Sequence, residues 1–210
     1  GAVRHKGFIP WDTDTDIIVT IEDYHKLSKL LRKSLSDKYC YRHIQYDKSY
    51  DSLQPRVTLE NDHGRIIHVD IYPMVGVPKN FLKKEIFRRI AYLKQRLFFV
   101  KNVESNVNYR DKFLKRIISK AIKMILLPIP KKVFLKLDSF LANRYPLNNA
   151  NEIFNLYGNY GAKEFIKAEW LGEGKLVEFE GVNLPIPNNY DEYLTHLYGD
   201  YMTPKKENYI

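Results

Sequence analysis

The sequence has little of what marks several common classes of protein. Cys40 is its one cysteine, which excludes an internal disulfide framework. No apolar run reaches the ~18–20 residues that a membrane-spanning helix requires. We also find no internal repeat, no low-complexity tract and no Ser-His-Asp or Cys-His pattern of a nucleophilic enzyme. With 44% hydrophobic residues, the chain has a globular composition, and 210 residues fit one domain, or one domain with a large insertion.

The positive charge lies mainly in the middle of the chain. Residues 78–144, called the basic segment below, hold 18 Lys and Arg against four Asp and Glu, a net charge of +14, whereas the whole chain carries +9. The rest of the chain is therefore acidic. This asymmetry favours an anionic partner for the basic segment, either membrane lipid or nucleic acid.

Apolar residues at three- and four-residue spacing predict an amphipathic helix near residues 111–127. We expect this part of the basic segment to make peripheral contact with an anionic membrane. The alternative is that its apolar side packs on the catalytic domain. We expect no nucleic acid as a partner, because the usual nucleic-acid-binding motifs are absent. The apolar residues on one side and the basic residues nearby are Phe113, Ile117, Ile118, Ile122 and Ile125, with Lys115, Arg116, Lys120 and Lys123.

Local patterns predict an α/β fold, of the α+β kind, in the first part of the chain. Three runs rich in β-branched residues predict strands, and Asn61–Gly64 has the composition of a hairpin turn between the last two. Thr20, with Asp23 three positions later, is the expected N-cap of a helix. The predicted strands cover residues 12–19, 56–60 and 65–72, and the helix extends to about Leu35.

The middle and the end of the chain have different patterns. Helical periodicity prevails after Pro78, and Pro128 and Pro130 end one helix before another begins. Short strand-like pieces return later, and Asn189 is the expected N-cap of a last helix that ends near Tyr198.

These patterns divide the chain into three regions. We expect a catalytic core in residues 1–77, a basic helical insertion in 78–149, and C-terminal strands and a helix in 150–210 that pack back on the core. The chain begins with Gly1 and not with Met, and we expect its N-terminus to be cropped.

Three aspartates alternate along the first predicted strand. Asp12, Asp14 and Asp16 project from one face because strand side chains alternate with a period of two. Two unit charges ~4 Å apart repel by about 1 kcal/mol in water and by about 4 kcal/mol at a partly buried site. A cation that neutralises the row would explain its presence, and carboxylate oxygens suit Mg²⁺ or Mn²⁺.

Asp70 lies in an apolar run, where a buried carboxylate without a partner costs several kcal/mol. A shared metal ion is one partner that would offset this cost. The alternative is that residues 12–16 form an exposed acidic edge strand and that Asp70 accepts backbone hydrogen bonds. His68 is expected to point to the opposite face of the strand from Asp70, so we assign it a structural or surface role.

Three stretches of the sequence resemble the LicD family, whose relatives include fukutin and fukutin-related protein. GAVRHKGFIPWDTDTDI at 1–17 resembles its signature, and VDIYP at 69–73 resembles the strand that bears its third carboxylate. The matches follow the family's order over nearly the whole chain. The tail resembles its C-terminal signature in LPIP at 184–187, YDEYL at 190–194 and YGDYM at 198–202.

The resemblance implies a nucleotidyltransferase-like mixed sheet with flanking helices, on which three carboxylates hold two divalent cations. Carried over to this chain, the pair on one strand is Asp14 and Asp16, and the third carboxylate is Asp70. These three residues form the predicted catalytic and metal-binding set, with Mg²⁺ or Mn²⁺ as the cations. Asp12 is a candidate either for supporting the metal ligands or for contacting the acceptor, and Asp70 or Asp12 could take the proton of the attacking hydroxyl.

The resemblance also implies the reaction. Phosphocholine or a polyol phosphate would pass from a CDP-linked donor to a sugar hydroxyl of a cell-surface glycan or glycolipid. Arg4 and Lys6 precede the carboxylate strand and are predicted to hold donor phosphate, the alternative being solvated loop charges. Trp11 is predicted to stack on a base, the alternative being an aromatic residue used for packing.

Two other functions stay open at this point. One is a nucleotidyltransferase that transfers NMP itself and releases pyrophosphate. The other is a non-enzymatic nucleic-acid-binding protein that uses the basic segment. We expect a cytoplasmic location, peripheral at the inner face of the membrane, or the secretory pathway if a cropped N-terminal anchor exists.

Overall fold

The computed structural model describes residues 1–60, 67–102, 113–148 and 150–203, with side chains for all of these except 113–116 and 119. Strands and helices alternate in the first part, three helices follow, and short strands return near the C-terminus. In chain order the elements are β1 (Asp14–Thr20), α1 (Ile21–Ser34), β2 (Tyr39–Arg42), β3 (Arg56–Leu59), β4 (His68–Gly76), α2 (Phe81–Asn102), α3 (Phe113–Leu126), α4 (Lys131–Asn143), β5 (Glu152–Asn155), β6 (Phe165–Lys167), α5 (Ala168–Leu171), β7 (Lys175–Phe179), β8 (Val182–Ile186) and α6 (Tyr190–Tyr198).

The described strands form a mixed six-stranded sheet around β4 and a separate hairpin of β7 and β8. β1 pairs with β4 in parallel from His68 to Met74. β3 pairs antiparallel with the beginning of β4 and β5 with its end, while β2 and β6 extend the sheet further. The beginning of β4 therefore has a strand on both sides. The predicted α+β fold with a mixed sheet is confirmed.

The first helix begins where the sequence predicts it. The backbone N–H of Asp23 donates to Thr20 Oγ1 at 3.1 Å, and α1 starts at the next residue after Thr20. Asn189 likewise precedes α6, but it makes no side-chain capping hydrogen bond, so that part of the prediction is wrong. Asp191 and Glu192 lie in the first turn of α6 instead, where negative charge interacts favourably with the helix dipole.

The first strand begins later than predicted. The N–H of Asp12 donates to the carbonyl of Ile9 at 3.0 Å, which makes a turn, and β1 starts at Asp14. The expectation that Asp12 lies on the same strand as Asp14 and Asp16 is therefore wrong. The predicted hairpin turn at 61–64 lies outside the described residues.

The basic segment folds as α2, α3 and α4, and each helix contributes residues to the main core cluster. Pro128 and Pro130 separate α3 from α4 as predicted. The buried residues are Phe87, Ala91 and Phe98 of α2, Leu126 of α3, and Phe134, Leu141 and Ala142 of α4, which cluster with Val75 and Phe154 of the sheet.

The apolar side predicted for α3 is divided between the core and solvent. Leu126 is buried and Ile122 packs against the core, whereas Ile117, Ile118 and Ile125 are exposed. Successive helical residues are rotated by about 100°, so these positions span about half of the helix circumference, and only one edge of that half faces the core. The apolar side is therefore present, but only part of it packs on the core. Outside the described part lie residues 103–112 and the side chains of Phe113, Lys115 and Arg116.

The C-terminal residues return to the sheet. β5 pairs with β4, and β6 pairs with β5. In the sequence, the helices of the basic segment therefore lie between the paired strands β4 and β5. The boundaries of the three predicted regions stay a prediction. Among the described residues, no helix is both long enough and apolar enough to cross a bilayer.

Candidate active site

β1 and β4 place four polar side chains on one face of the sheet. Their parallel register sets Asp14 opposite His68 and Asp16 opposite Asp70. Residues opposite each other on neighbouring strands share a face, and so do residues two apart along one strand. The four side chains therefore form one polar patch, called the carboxylate cluster below.

His68 belongs to this cluster, contrary to expectation. Its Nε2 lies 3.6 Å from Asp14 Oδ2 and 3.8 Å from Asp70 Oδ2. One donor atom from each of the three residues lies within 4.8 Å of the others. The expectation that His68 points away from Asp70 is wrong because the two are two positions apart, and the period of the strand returns both side chains to the same face.

Asp16 is the exposed member of the cluster. Its pKa is raised to about 6, first by loss of hydration and then by the negative charges of the neighbouring carboxylates, while Arg56 acts in the opposite sense. Asp14, Asp16 and Asp70 are therefore close enough to repel one another. The group of donor atoms that lie within 4.8 Å of one another nevertheless includes His68 and not Asp16. The roles of the three aspartates as metal ligands stay a prediction.

Asp70 has an ionic partner that sequence reasoning missed. Asp70 is only 5% exposed, and Arg56 on β3 is its cross-strand neighbour. Arg56 Nε lies 2.9 Å from Asp70 Oδ1, and Nη2 donates to Oδ2 at 3.3 Å. Burial raises the pKa of Asp70, and the charge of Arg56 opposes that rise. Arg56 opens a predicted strand, but only the register of β3 with β4 puts it beside Asp70, and no local signal specifies that register.

Asp12 lies at the edge of the cluster, in the exposed turn before β1. Loss of hydration and then the neighbouring carboxyl group of Asp14 raise the pKa of Asp12. Asp12 therefore contacts the cluster from outside the strand.

The three other predicted substrate contacts lie on the loop before β1. Arg4 Nη1 donates to the carbonyl of Tyr201 at 2.6 Å, which ties this loop to the C-terminal residues. Lys6 is exposed and has a φ of 56°. Trp11 is 47% exposed and meets the ring of His5 edge to face. Phosphate binding by Arg4 and Lys6 and base stacking by Trp11 stay predictions.

The two ends of the described chain pack against each other. The N–H of Phe8 donates to Glu180 Oε1 at 3.1 Å, and the ring centroids of Phe8 and Phe179 lie 4.9 Å apart. The Tyr201 hydroxyl donates to Asp191 Oδ1 at 2.6 Å. The hairpin of β7 and β8 and the residues after α6 therefore hold the loop that leads into the carboxylate cluster.

The donor atoms of the cluster fit a divalent cation. Ligand distances of ~2.0–2.2 Å allow two ligand atoms of one ion to lie at most ~4.4 Å apart. Both distances from His68 Nε2 to the carboxylate oxygens are shorter than that. Carboxylate oxygens alone suit Mg²⁺ or Mn²⁺, and an imidazole nitrogen suits transition-metal ions. The residues present are therefore compatible with the predicted cation.

Comparisons with known proteins agree with this geometry. The family model described as "LicD/FKTN/FKRP, nucleotidyltransferase domain" matches residues 1–105, which contain the whole cluster. The lipopolysaccharide cholinephosphotransferase LicD of Haemophilus influenzae is 26% identical over 222 aligned positions, which cover 96% of this chain and 78% of that protein. No solved structure matches the chain.

Proposed function

This chain belongs to the LicD family, and from that membership we propose that it is a metal-dependent phosphotransferase. It moves phosphocholine, or a polyol phosphate, from a CDP-linked donor to a sugar hydroxyl of a cell-surface glycan or glycolipid. The observation that supports this most is the carboxylate cluster, in which Asp14, Asp16 and Asp70 lie on one face of the sheet. The name of the Haemophilus influenzae relative, a lipopolysaccharide cholinephosphotransferase, supports phosphocholine as the group and a glycolipid as the acceptor.

The cluster is costly for a protein that makes no use of it. Each pair of like charges ~4 Å apart costs about 1 kcal/mol in water and about 4 kcal/mol at a partly buried site. Asp70 is almost buried, and the raised pKa of Asp16 reflects both lost hydration and the charges around it. A divalent cation would relieve this repulsion, which supports a metal-dependent activity.

The residues of the cluster have different parts in the proposed reaction. Asp14, Asp16 and Asp70 would hold Mg²⁺ or Mn²⁺, in two sites by resemblance to the family, and the cations would supply charge neutralisation at the donor pyrophosphate. Arg56 keeps the Asp70 carboxylate in position through its two contacts. CMP leaves when the acceptor oxygen forms its bond to the transferred phosphorus.

Asp12 is the proposed proton acceptor for the attacking hydroxyl. Asp70 is less suitable because it is nearly buried and ion-paired with Arg56. Asp12 is exposed beside Asp14, and its pKa is raised. A base with a raised pKa holds an abstracted proton more effectively, provided that it is still ionised at the working pH.

The released product tests the proposed function. We expect the protein, given Mg²⁺ or Mn²⁺, CDP-choline or a CDP-polyol and a glycan or glycolipid acceptor, to release one CMP for each acceptor modified. The measurement is CMP by chromatography together with the mass of the acceptor. Release of pyrophosphate from a nucleoside triphosphate would instead identify the NMP-transferring alternative. Nucleic-acid binding with steep salt dependence, and no turnover, would favour the non-enzymatic one.

We also propose that the basic segment contacts an anionic membrane, and that α2 makes this contact. α2 has two apolar stripes, one buried in the core and one exposed. Leu82, Ile86 and Leu93 are spaced by four and seven residues, so they share a side of the helix, and they are 68%, 56% and 55% exposed. Arg89 and Arg96 are exposed on the same helix. Exposed apolar residues with basic neighbours suit the surface of an anionic bilayer.

Vesicle binding tests this contact. Each Lys or Arg near an anionic leaflet contributes about 1 kcal/mol, so replacing Lys83, Arg89 and Arg96 by Gln should weaken binding by about 100-fold. Co-sedimentation with vesicles that contain anionic lipid, at two salt concentrations, measures the change. The matched control is a triple change to Gln at Lys29, Lys33 and Lys38, three exposed positions of α1 and the loop after it, which should leave binding unchanged.

Apolar burial is tested separately. Changing Leu82, Ile86 and Leu93 to Ser should also weaken binding to anionic vesicles, whereas Leu176→Ser, at a 66% exposed position of β7, should not. Equal binding to neutral and anionic vesicles, or no binding to either, would contradict the proposed membrane contact.

A further inference from the structure

We propose that His68 is a ligand of the divalent cation, so that the site binds through nitrogen as well as oxygen and prefers Mn²⁺ to Mg²⁺. This inference rests on the metal dependence of the proposed function. It adds a residue that the family resemblance did not assign to the site. It also decides between the two cations that carboxylates alone would accept.

The first support is the position of the imidazole between two carboxylates. His68 Nε2 lies 3.6 Å from Asp14 Oδ2 and 3.8 Å from Asp70 Oδ2, which is too far for a hydrogen bond to either. Two ligand atoms that bind one ion with bonds of ~2.2 Å lie at most ~4.4 Å apart, and both distances are shorter than that. The nitrogen therefore faces the two oxygens at the spacing of a shared cation.

The second support is that the ring is nearly buried and lacks hydrogen bonds. The side chain of His68 is 12% exposed, and within the described ranges its buried Nδ1 has no hydrogen-bond partner. Buried polar atoms in folded proteins normally have a partner. A cation on Nε2 would hold this ring in place, which no hydrogen bond to Nδ1 does among the described residues.

The strand opposite supplies a group that suits the other nitrogen. Thr58 on β3 is the cross-strand neighbour of His68, and its hydroxyl is likewise buried without a partner among the described residues. Cross-strand neighbours share a face. A metal-binding histidine usually donates its other ring N–H to an oxygen, which leaves the ligating nitrogen unprotonated. Thr58 Oγ1 is the candidate acceptor for Nδ1–H.

Arg56 leaves room for the cation at Asp70. A carboxylate has about four lone-pair positions; Arg56 Nη2 donates to Oδ2, and Arg56 Nε forms an ion-pair contact with Oδ1 at 2.9 Å. Asp70 can therefore keep its ion pair while Oδ2 also binds a cation beside His68. The ion pair fixes the carboxylate before the cation arrives, so the site needs little rearrangement.

The chemistry of the donors sets the preference between cations. Mg²⁺ prefers oxygen ligands and keeps several waters, so it gains little from an imidazole. Transition-metal ions gain more from a nitrogen ligand. With His68 in the site, Mn²⁺ should therefore bind more tightly than Mg²⁺, and without His68 this difference should shrink.

Electron paramagnetic resonance provides a test that needs no catalytic turnover. Mn²⁺ bound to the unmodified protein should show spin-echo modulation from a directly coordinated imidazole nitrogen. Uniform ¹⁵N labelling of histidine should change that modulation. The measurement is valid whether or not any His68 variant folds. Bound Mn²⁺ without nitrogen coupling would overturn the role of His68 while leaving a metal-dependent function intact. Failure to bind Mn²⁺ or Mg²⁺ at all would overturn the metal dependence itself.

Substitution then measures the preference. His68→Asn should weaken Mn²⁺ binding by about tenfold or more, the size expected when a group at a metal site is removed. Mg²⁺ affinity, measured by competition against Mn²⁺, should change much less. His25→Asn, at an exposed position of α1, is the matched control and should change neither affinity. Equal losses for Mn²⁺ and Mg²⁺ in a folded His68→Asn protein would contradict the proposed selectivity.

Discussion

Replacing Asp14 or Asp16 by Asn should lower the rate of transfer by about 10³-fold or more in a protein that still folds. Asn keeps the shape of Asp and removes its charge, so the cation loses an ionic ligand. Cations at such sites supply several kcal/mol of transition-state stabilisation, and each ~1.4 kcal/mol is a factor of ten in rate. Turnover at saturating Mg²⁺ or Mn²⁺ is the measurement, and Asp37→Asn, on an exposed loop, is the matched control. Retained turnover in either variant would exclude a ligand role.

The stability of the Asp16→Asn variant gives an independent measurement. Folding raises the pKa of Asp16 from 3.8 to about 6, which means that the charged form is penalised in the folded protein. The penalty is full above pH 6, fades as the pH falls towards 4, and is absent below the unfolded pKa. After allowance for solvent screening, Asp16→Asn should gain about 1 kcal/mol, or ~2–4 °C in Tm, at pH 8 with chelator.

The same variant provides its own control at low pH. At pH 3.5 the carboxyl is protonated in both the folded and the unfolded protein, so the gain in Tm should vanish. A gain that is equal at both pH values would show that Asp16 is not destabilised by its charge.

Replacing Lys94 by Met should lower the free energy of unfolding by about 3–5 kcal/mol, the cost of removing one partner of a buried ion pair. Lys94 is only 2% exposed, and its ammonium group pairs with Asp138 of α4. The Tyr157 hydroxyl donates to the other oxygen of Asp138, and Lys94 lies over the Tyr157 ring at 5.0 Å from its centroid. The variant would leave the negative charge of Asp138 buried without the ammonium group that neutralises it.

Denaturant unfolding of single and double variants checks this prediction. Lys94→Met with Asp138→Leu removes both charges and should recover much of the loss, because no uncompensated charge remains. Lys83→Met, at an exposed position of the same helix, should change stability by less than about 0.5 kcal/mol. A Lys94→Met protein as stable as the unmodified one would contradict the structural role of the pair.

This pair changes the interpretation of the +14 charge of the basic segment. The +14 charge includes Lys94 as if it were available to an anionic partner, but Lys94 is buried and pairs with Asp138. Lys84 pairs with Glu152 at 2.6 Å, and Lys101 donates to the carbonyl groups of Leu126 and Leu127 at the end of α3. Part of the charge therefore joins the helices to each other and to the sheet, and only the exposed remainder can meet a membrane.

The sequence by itself determined the features that depend on a few neighbouring residues. Thr20 caps α1 because Asp23 lies three positions on, and Pro128 and Pro130 separate two helices because proline cannot continue one. Asp14 and Asp16 share a face for the same local reason, the period of a strand. The same period places His68 and Asp70 on one face, so the sequence alone could have predicted their shared face. The opposite expectation for His68 was therefore an error of interpretation.

Only the tertiary structure decided which strands and helices lie side by side. The register of β1, β3 and β4 brings Asp16, Asp70 and Arg56 together from three separate parts of the chain. The helix packing buries Lys94 and leaves the Leu82 stripe of α2 exposed, although both lie in one basic, apolar helix. Strand register and helix packing depend on contacts between residues far apart in sequence. Many such contacts compete with one another, so no local pattern of residues specifies which of them form.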